Sequence, residues 1–116
     1  MLRVGSVVIH CYAFDETVDF WSHALGYKPR NPPADGWVVL VDPMANGPNL
    51  SFQARERRRA HRNWIHLDLY AEDAEQEAER LVALGASRFP WRYPPGADFV
   101  VLTDPDGNLF CVVQRR

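Results

Sequence analysis

Four residues in one short run could do chemistry together: Trp64, His66, Asp68 and Tyr70, each two apart in Trp64-Ile-His-Leu-Asp-Leu-Tyr70. The residues between them, Ile65, Leu67 and Leu69, are aliphatic. Successive side chains of a strand point to opposite faces, so one face carries an imidazole, a carboxylate and two aromatic rings, and the other suits a core. An imidazole beside a carboxylate can serve as a base or a metal ligand, with the carboxylate orienting it, and the flanking rings can stack on a planar molecule. The competing reading is a half-solvated sheet face, where Lys, Thr or Glu would be more usual.

Other candidates come from strand-like runs. Arg3 to Tyr12 is rich in β-branched residues and puts Ser6, Val8, His10 and Tyr12 opposite Val7, Ile9 and Cys11. Leu50 to Ala54 puts Ser51 and Gln53 opposite Leu50 and Phe52. His10, Gln53, His66 and Asp68 could share a face, and two imidazoles with a carboxylate suit non-haem iron or zinc, although no spacing brings His10 to the other strand. Trp37, Trp64 and Trp91, with Tyr93, sit on or beside strands and loops and would give a ligand apolar contact and stacking. Trp21, on a helical stripe, reads as core. Cys11 and Cys111 lie in apolar runs without CxxC spacing and read as reduced core thiols of a cytoplasmic protein. Neither they nor Ser6 shows a nucleophile-activating motif.

Composition narrows the function classes. The net charge of -2 gives no general drive toward nucleic acid or an anionic membrane, and no apolar run approaches the roughly 20 residues that span a bilayer. The N-terminus lacks a signal-peptide pattern. The basic run Arg55 to Asn63 has no aromatic residue among its charges and reads as a solvated connector.

The elements that must position these residues follow from periodicity. Asp15 is the expected N-cap of a helix over about 16–25, with Val18, Trp21, Ala24 and Leu25 on its apolar stripe and Gly26 closing it. Tyr27 to Gly36 reads as a loop, Trp37 to Val41 as a strand, 42–48 as a turn and Leu50 to Ala54 as a strand. The same order then recurs: the strand Trp64 to Tyr70, a helix over about 74–84 capped by Asp73 and Gln76, a loop Phe89 to Gly96, the strand Asp98 to Thr103, a turn 104–108 and the strand Leu109 to Gln114. Apolar Ala74, Ala78, Leu81 and Val82 form the second helix's stripe. Ala24-Leu-Gly26 recurs as Ala83-Leu-Gly85, Trp37 to Pro43 recurs as Phe99 to Pro105, and Gln53 recurs as Gln114. The chain therefore reads as a duplicated unit.

Three motifs, Phe20-Trp-Ser-His-Ala-Leu-Gly26, Trp64-Ile-His-Leu-Asp-Leu69 and Leu102-Thr-Asp-Pro-Asp-Gly-Asn-Leu-Phe110, resemble the vicinal oxygen chelate superfamily of glyoxalase I, fosfomycin- and bleomycin-resistance proteins and extradiol dioxygenases. The run Leu50-Ser-Phe-Gln53, a basic linker and His66 to Leu69 is similar to the small glyoxalase-like domain branch. The resemblance implies an α+β fold: one domain over 1–116, with two βαβββ modules (about 1–54 and 64–116, joined by linker 55–63) whose mixed sheets curve around a cleft. It also implies a site on the concave face and a homodimer. Its metal positions fall at His66, at Ser6 (or Val7) and at Cys111, so two expected ligands are replaced. His66 remains the one metal candidate, and no cofactor is expected.

Three functions follow. The first is binding of a small aromatic or hydrophobic molecule, with Trp37, Trp64, Trp91, His10, Gln53, His66 and Asp68 as contacts and without the full metal centre. The second is an enzyme, a lyase, isomerase or dioxygenase, using His66 and Asp68 with a divalent ion such as Zn, Ni, Fe or Mn. The third is a protein-interaction module, which leaves the polar-aromatic row without a use.

Overall fold

A computed structural model describes residues 1, 4–57 and 66–115. The chain divides into two compact units, Met1–Arg59 and Ala60–Arg116. Unit 1 contains β1 (Ser6–Cys11), α1 (Phe14–Leu25), β2 (Lys28–Pro29), β3 (Trp37–Val41) and β4 (Asn49–Ala54). Unit 2 contains β5 (Leu67–Ala71), α2 (Ala74–Leu84), β6 (Ser87–Arg88), β7 (Phe99–Thr103) and β8 (Leu109–Gln114). Each is a βαβββ module with a four-stranded mixed sheet, ordered β1-β4-β3-β2 and β5-β8-β7-β6. The opening strand of each unit pairs parallel with the closing one, so a helical crossover must join them. Among the described residues no helix is long and apolar enough to cross a membrane.

In unit 1 the apolar stripe of α1 supplies Val18, Phe20, Trp21 and Ala24 to a core completed by Cys11, Val38, Leu40, Leu50 and Phe52. Phe20 and Trp21 meet edge to face at 5.1 Å between ring centroids. Asp15 does not cap α1. The helix begins at Phe14 behind Ala13, which makes no side-chain cap, and Asp15 with Glu16 occupies the first turn, where a carboxylate suits the helix dipole. Gly26 ends the helix at φ 70, the left-handed conformation that favours glycine. The stretch expected to be loop between Tyr27 and Gly36 holds the short β2, which pairs with β3 through Lys28 and Pro29.

In unit 2, Asp73 accepts from the Gln76 N–H at 3.1 Å, as its capping pattern predicts. Ala74, Ala78 and Leu81 are buried where α2 packs on β7 and β8. Val82 departs from the expected stripe and is exposed. The Asp104 turn is organised by its own carboxylate. Its Oδ1 accepts from the backbone N–H groups of Asp106 and Asn108 at 2.9 and 2.8 Å, and its Oδ2 from Asn108 Nδ2 at 2.7 Å. Asp42 does the same in unit 1, accepting from Met44 and Asn46 N–H at 2.9 and 3.0 Å.

The register corrects one feature of the repeat. Trp37 pairs with Gln53, and Phe99 pairs with Val113, so Gln53 corresponds to Val113 and not to Gln114. Period 2 therefore sends the two glutamines to opposite faces of their sheets. Gln53 is exposed on the face away from α1. Gln114 turns to the helix side, where its Oε1 accepts from Ala74 N–H at 2.8 Å and its Nε2 donates to the Glu72 carbonyl.

Candidate functional site

In both units the helix covers one face of the sheet, and His10, Gln53 and Trp37 in unit 1 and His66 and Asp68 in unit 2 lie on the other. In unit 1 the pairing His10↔Gln53↔Trp37 sets these three side by side across β1, β4 and β3. Beside them, Val8, Ser51 and Val39 form the next row. Ser6 and Ser51 hydroxyls meet at 2.6 Å. Val8 and Trp37 are 50% and 39% exposed, a large apolar allotment for a face that no helix covers. The loop 30–34 and Trp37 to Val39 also line a hollow with a volume of about 280 Å³. At the polar end of the row, Arg55 Nη2 donates to His10 Nδ1 at 2.5 Å.

In unit 2 the corresponding face carries His66, Asp68 and Cys111. Asp68 pairs with Cys111 across β5 and β8, and His66, immediately before β5, brings its Nε2 to 3.2 Å from Asp68 Oδ1. One ligand atom from each residue lies within 4.8 Å of the others. The side chains of His66 and Asp68 are each 52% exposed, so this pair adds little to stability and is open to a ligand. Cys111 is not a core thiol. Its neighbours Phe110 and Val112 are buried, and alternation turns Cys111 to the opposite face, half-buried beside Asp68. Burial first, and then the charge of Asp68 and a hydrogen bond to it, push the thiol above its ordinary value of 9.0. The thiol is therefore protonated at neutral pH, which argues against a ready nucleophile. Cys11, in contrast, is buried at 1% exposure as expected. The signal for Cys111 was present in the sequence, since a Phe-Cys-Val run cannot bury all three side chains on one face.

The structure thus brings together His10, Gln53 and Trp37 in unit 1, and His66 with Asp68 in unit 2. Trp91 belongs to neither group. It is exposed in the stretch after β6, with its ring 6.3 Å from that of Phe89. Trp64 lies outside the described residues, as do Ile65 and most of the basic run. Tyr93 has a structural task, since its hydroxyl accepts from the Val101 N–H at 2.8 Å.

The metal implied by the resemblance can be tested against these donors. Zinc bonds of about 2.0–2.3 Å place tetrahedral donors roughly 3.3–3.8 Å apart, so side chains now within 4.8 Å would need to move by about an ångström. The imidazole, carboxylate and thiol fit a borderline-soft ion such as zinc better than a hard one. In unit 1 the equivalent positions, set by the pairings Ser6↔Asn49 and Val8↔Ser51, are Ser6, Val8 and Ser51, which offer only hydroxyls.

Comparison with known proteins agrees with this architecture. The family model described as "Glyoxalase-like domain" matches residues 6–113. A glyoxalase/bleomycin resistance protein/dioxygenase family enzyme from Burkholderia phytofirmans superposes with a TM-score of 0.76 at 15% identity, covering 96% of this chain and 97% of that one. A fosfomycin resistance protein from Listeria monocytogenes, solved with Mn(II) and 1S,2S-dihydroxypropylphosphonic acid, gives 0.78 at 14% identity, covering 100% and 92%. The bleomycin-binding protein of Streptomyces verticillus, solved with copper(II)-bleomycin, gives 0.67 at 14% identity, covering 100% and 98%. No curated protein matches the chain by sequence.

Proposed function

The chain belongs to the glyoxalase-like domain family, and from that premise we propose that it binds a small organic molecule, aromatic or apolar in body, on sheet faces that the helices leave uncovered. One observation carries the reading: these faces hold chemistry that solvation alone does not require. His10, Gln53 and Trp37 stand in register on one, and His66, Asp68 and Cys111 converge on the other. Half-exposed rings and aliphatic side chains supply contact area, while the imidazoles, amide and carboxylate fix orientation. The family's solved relatives support the class, since one was solved with a phosphonic acid and another with copper(II)-bleomycin. The same reading has the protein working in the cytoplasm as a homodimer, and light scattering tests the second part.

The experiment is a tryptophan-fluorescence titration and thermal-shift screen with two-ring aromatic compounds bearing acidic, neutral and basic groups. At least one compound should quench saturably and raise the melting temperature, and Trp37→Ala or His66→Ala should weaken the effect. If no compound binds and both variants behave as the parent chain does, the proposal is wrong.

A second reading is a metal-dependent lyase, isomerase or dioxygenase, favoured by the donor set in unit 2. His66, Asp68 and Cys111 would hold the ion, which when bound would supply Lewis-acid polarisation to a ligand oxygen. Plasma mass spectrometry of the purified protein tests it: about one equivalent of zinc, lost in Cys111→Ser, supports it, and metal below a tenth of an equivalent after zinc loading and desalting sinks it.

A further inference from the structure

The two units carry the same arginine in different electrostatic settings. Arg55 N–H donates to the Cys11 carbonyl at 2.8 Å, and Arg115 N–H donates to the Ala71 carbonyl at 2.8 Å. Each arginine thus follows its closing strand and ends beside its opening one. The residue each guanidinium meets also corresponds: His10 in unit 1, at 2.5 Å from Arg55 Nη2, and Tyr70 in unit 2, whose ring centroid lies 5.4 Å from Arg115 Cζ. Arg115 is neutralised internally, with Nη1 donating to Asp98 Oδ2 at 2.9 Å. The residue matching Asp98 is Gly36, because Gln114 N–H donates to the Asp98 carbonyl at 2.7 Å and Ala54 N–H to the Gly36 carbonyl at 2.8 Å. Gly36 has φ +68, and a Cβ there would stand 3.0 Å from the Ala54 Cβ, so no aspartate takes that place without strain. Among the described residues no carboxylate pairs with Arg55.

We propose that the anionic group of an organic acid takes the place in unit 1 that Asp98 holds in unit 2, and that the acid's planar body lies along Val8, Val39 and Trp37. This rests on the small-molecule reading above and names the ligand class. A guanidinium only donates, so His10 Nδ1 accepts from Arg55 and its ring proton sits on Nε2. The remaining N–H groups of the Arg55 guanidinium therefore stand at one end of the row, and Gln53 separates them from the indole of Trp37. At about 4.8 Å between neighbouring strands, the row from His10 to Trp37 spans roughly 10 Å, which suits a two-ring aromatic acid. A guanidinium matches a carboxylate with two parallel hydrogen bonds, which favours an organic acid over its amide or amine.

The test titrates the full chain with 2-naphthoate, 2-naphthamide, 2-naphthylmethylamine and inorganic phosphate, by calorimetry at low salt. The naphthoate should bind about tenfold or more tightly than the amide, with the amine weaker still and phosphate weakest. Arg55→Gln should reduce the acid-over-amide ratio to below about twofold, whereas Arg115→Gln should keep it, with circular dichroism showing both variants folded. If the acid, amide and amine bind equally, or if Arg55→Gln preserves the ratio, the ligand class is wrong while small-molecule binding stands. Phosphate binding as tightly as naphthoate would also overturn it, by removing any role for the aromatic body. If none of the probes binds, the ligand class is wrong, and the broader screen decides the small-molecule reading.

Discussion

Replacing Gln114 by alanine should destabilise the protein and leave ligand binding intact, and replacing Gln53 should do the reverse. Gln114 Oε1 accepts from the Ala74 N–H at 2.8 Å, one of the N-terminal donors that α2 cannot satisfy itself. Ala74 is only 5% exposed, so water has poor access to that N–H once the side chain is gone. Losing such a cap costs about 1–1.5 kcal/mol. The bond from Nε2 to the Glu72 carbonyl adds about 0.5 kcal/mol, at the low end for a neutral hydrogen bond because Glu72 is exposed and can be rehydrated. Asp73 still caps Gln76, which prevents wholesale fraying of the first turn. The expected loss in Gln114→Ala is therefore about 1.5–2 kcal/mol, or roughly 5–10 °C in melting temperature for a chain of this size. Gln53 is exposed and its removal should change stability by no more than about 0.5 kcal/mol.

Urea denaturation followed by far-UV circular dichroism reads both variants, with the m-value checking that the transition keeps its character. A 2-naphthoate titration on the same samples reads binding. The reasoning is refuted if Gln114→Ala loses less than about 0.5 kcal/mol, or if the two variants lose stability equally. Equal losses would mean that the glutamines are true repeats of one another and that the register does not separate them.

Four further outcomes follow from the same structure. Asp104→Ala should cost about 2–4 kcal/mol in urea denaturation, because a carboxylate 3% exposed accepts three hydrogen bonds, partly offset by the cost of its own burial; a loss under about 1 kcal/mol would contradict this. Thr17→Val should gain about 1 kcal/mol, since the Thr17 hydroxyl is fully buried without a hydrogen-bond partner among the described residues, and a measured loss would show that it has one in solution. Cys111 titrates above 9.0 in the folded protein, so its folded form holds the proton more tightly than the unfolded chain does. That stabilisation is complete below the unfolded value and is lost as pH rises through the folded one, so stability should fall in the alkaline range. Asp68→Asn removes the charge that helps raise the thiol, so iodoacetamide should alkylate Cys111 faster at pH 8.5, with the buried Cys11 as an unreactive reference; an unchanged rate would place Asp68 outside the thiol's field.

Much of this architecture was legible because its signals are local. Gly26 and Gly85 mark both helix ends, and Asp73 marks the start of α2. Alternation in β1 and β4 sorted His10 and Gln53 from Val7, Ile9 and Phe52 without any structure. The departures share a physical origin. Lys28–Pro29 and Ser87–Arg88 are two-residue strands that owe their existence to pairing with β3 and β7, and no two-residue run carries a period. Asp15 has a capping side chain, yet the helix starts earlier because Thr17 N–H already donates to the Ala13 carbonyl at 3.0 Å.

The site shows the same division between what one strand can reveal and what only pairing can. His66 and Asp68 share a stretch of chain, so their common face follows from period 2 alone. Cys111 joins them through the pairing of β5 with β8, a contact across 43 residues of sequence whose register no local pattern states. Arg55 is the sharper case. In sequence it opens a basic run that reads as a solvated connector. Its particular position emerges only when the hydrogen bonds of the two units are superposed, with Gly36 standing where Asp98 neutralises Arg115. A residue-by-residue repeat could not have shown this, because the two copies differ in spacing: Gly36 to Asp98 is 62 positions, while Arg55 to Arg115 is 60. The two-residue difference lies between the strands, in the turns and loops, where insertions are tolerated. The chemistry of the arginine is thus decided by the partner that the turn lengths bring to it, which is why Arg55→Gln and Arg115→Gln should part company in their effect on acid binding.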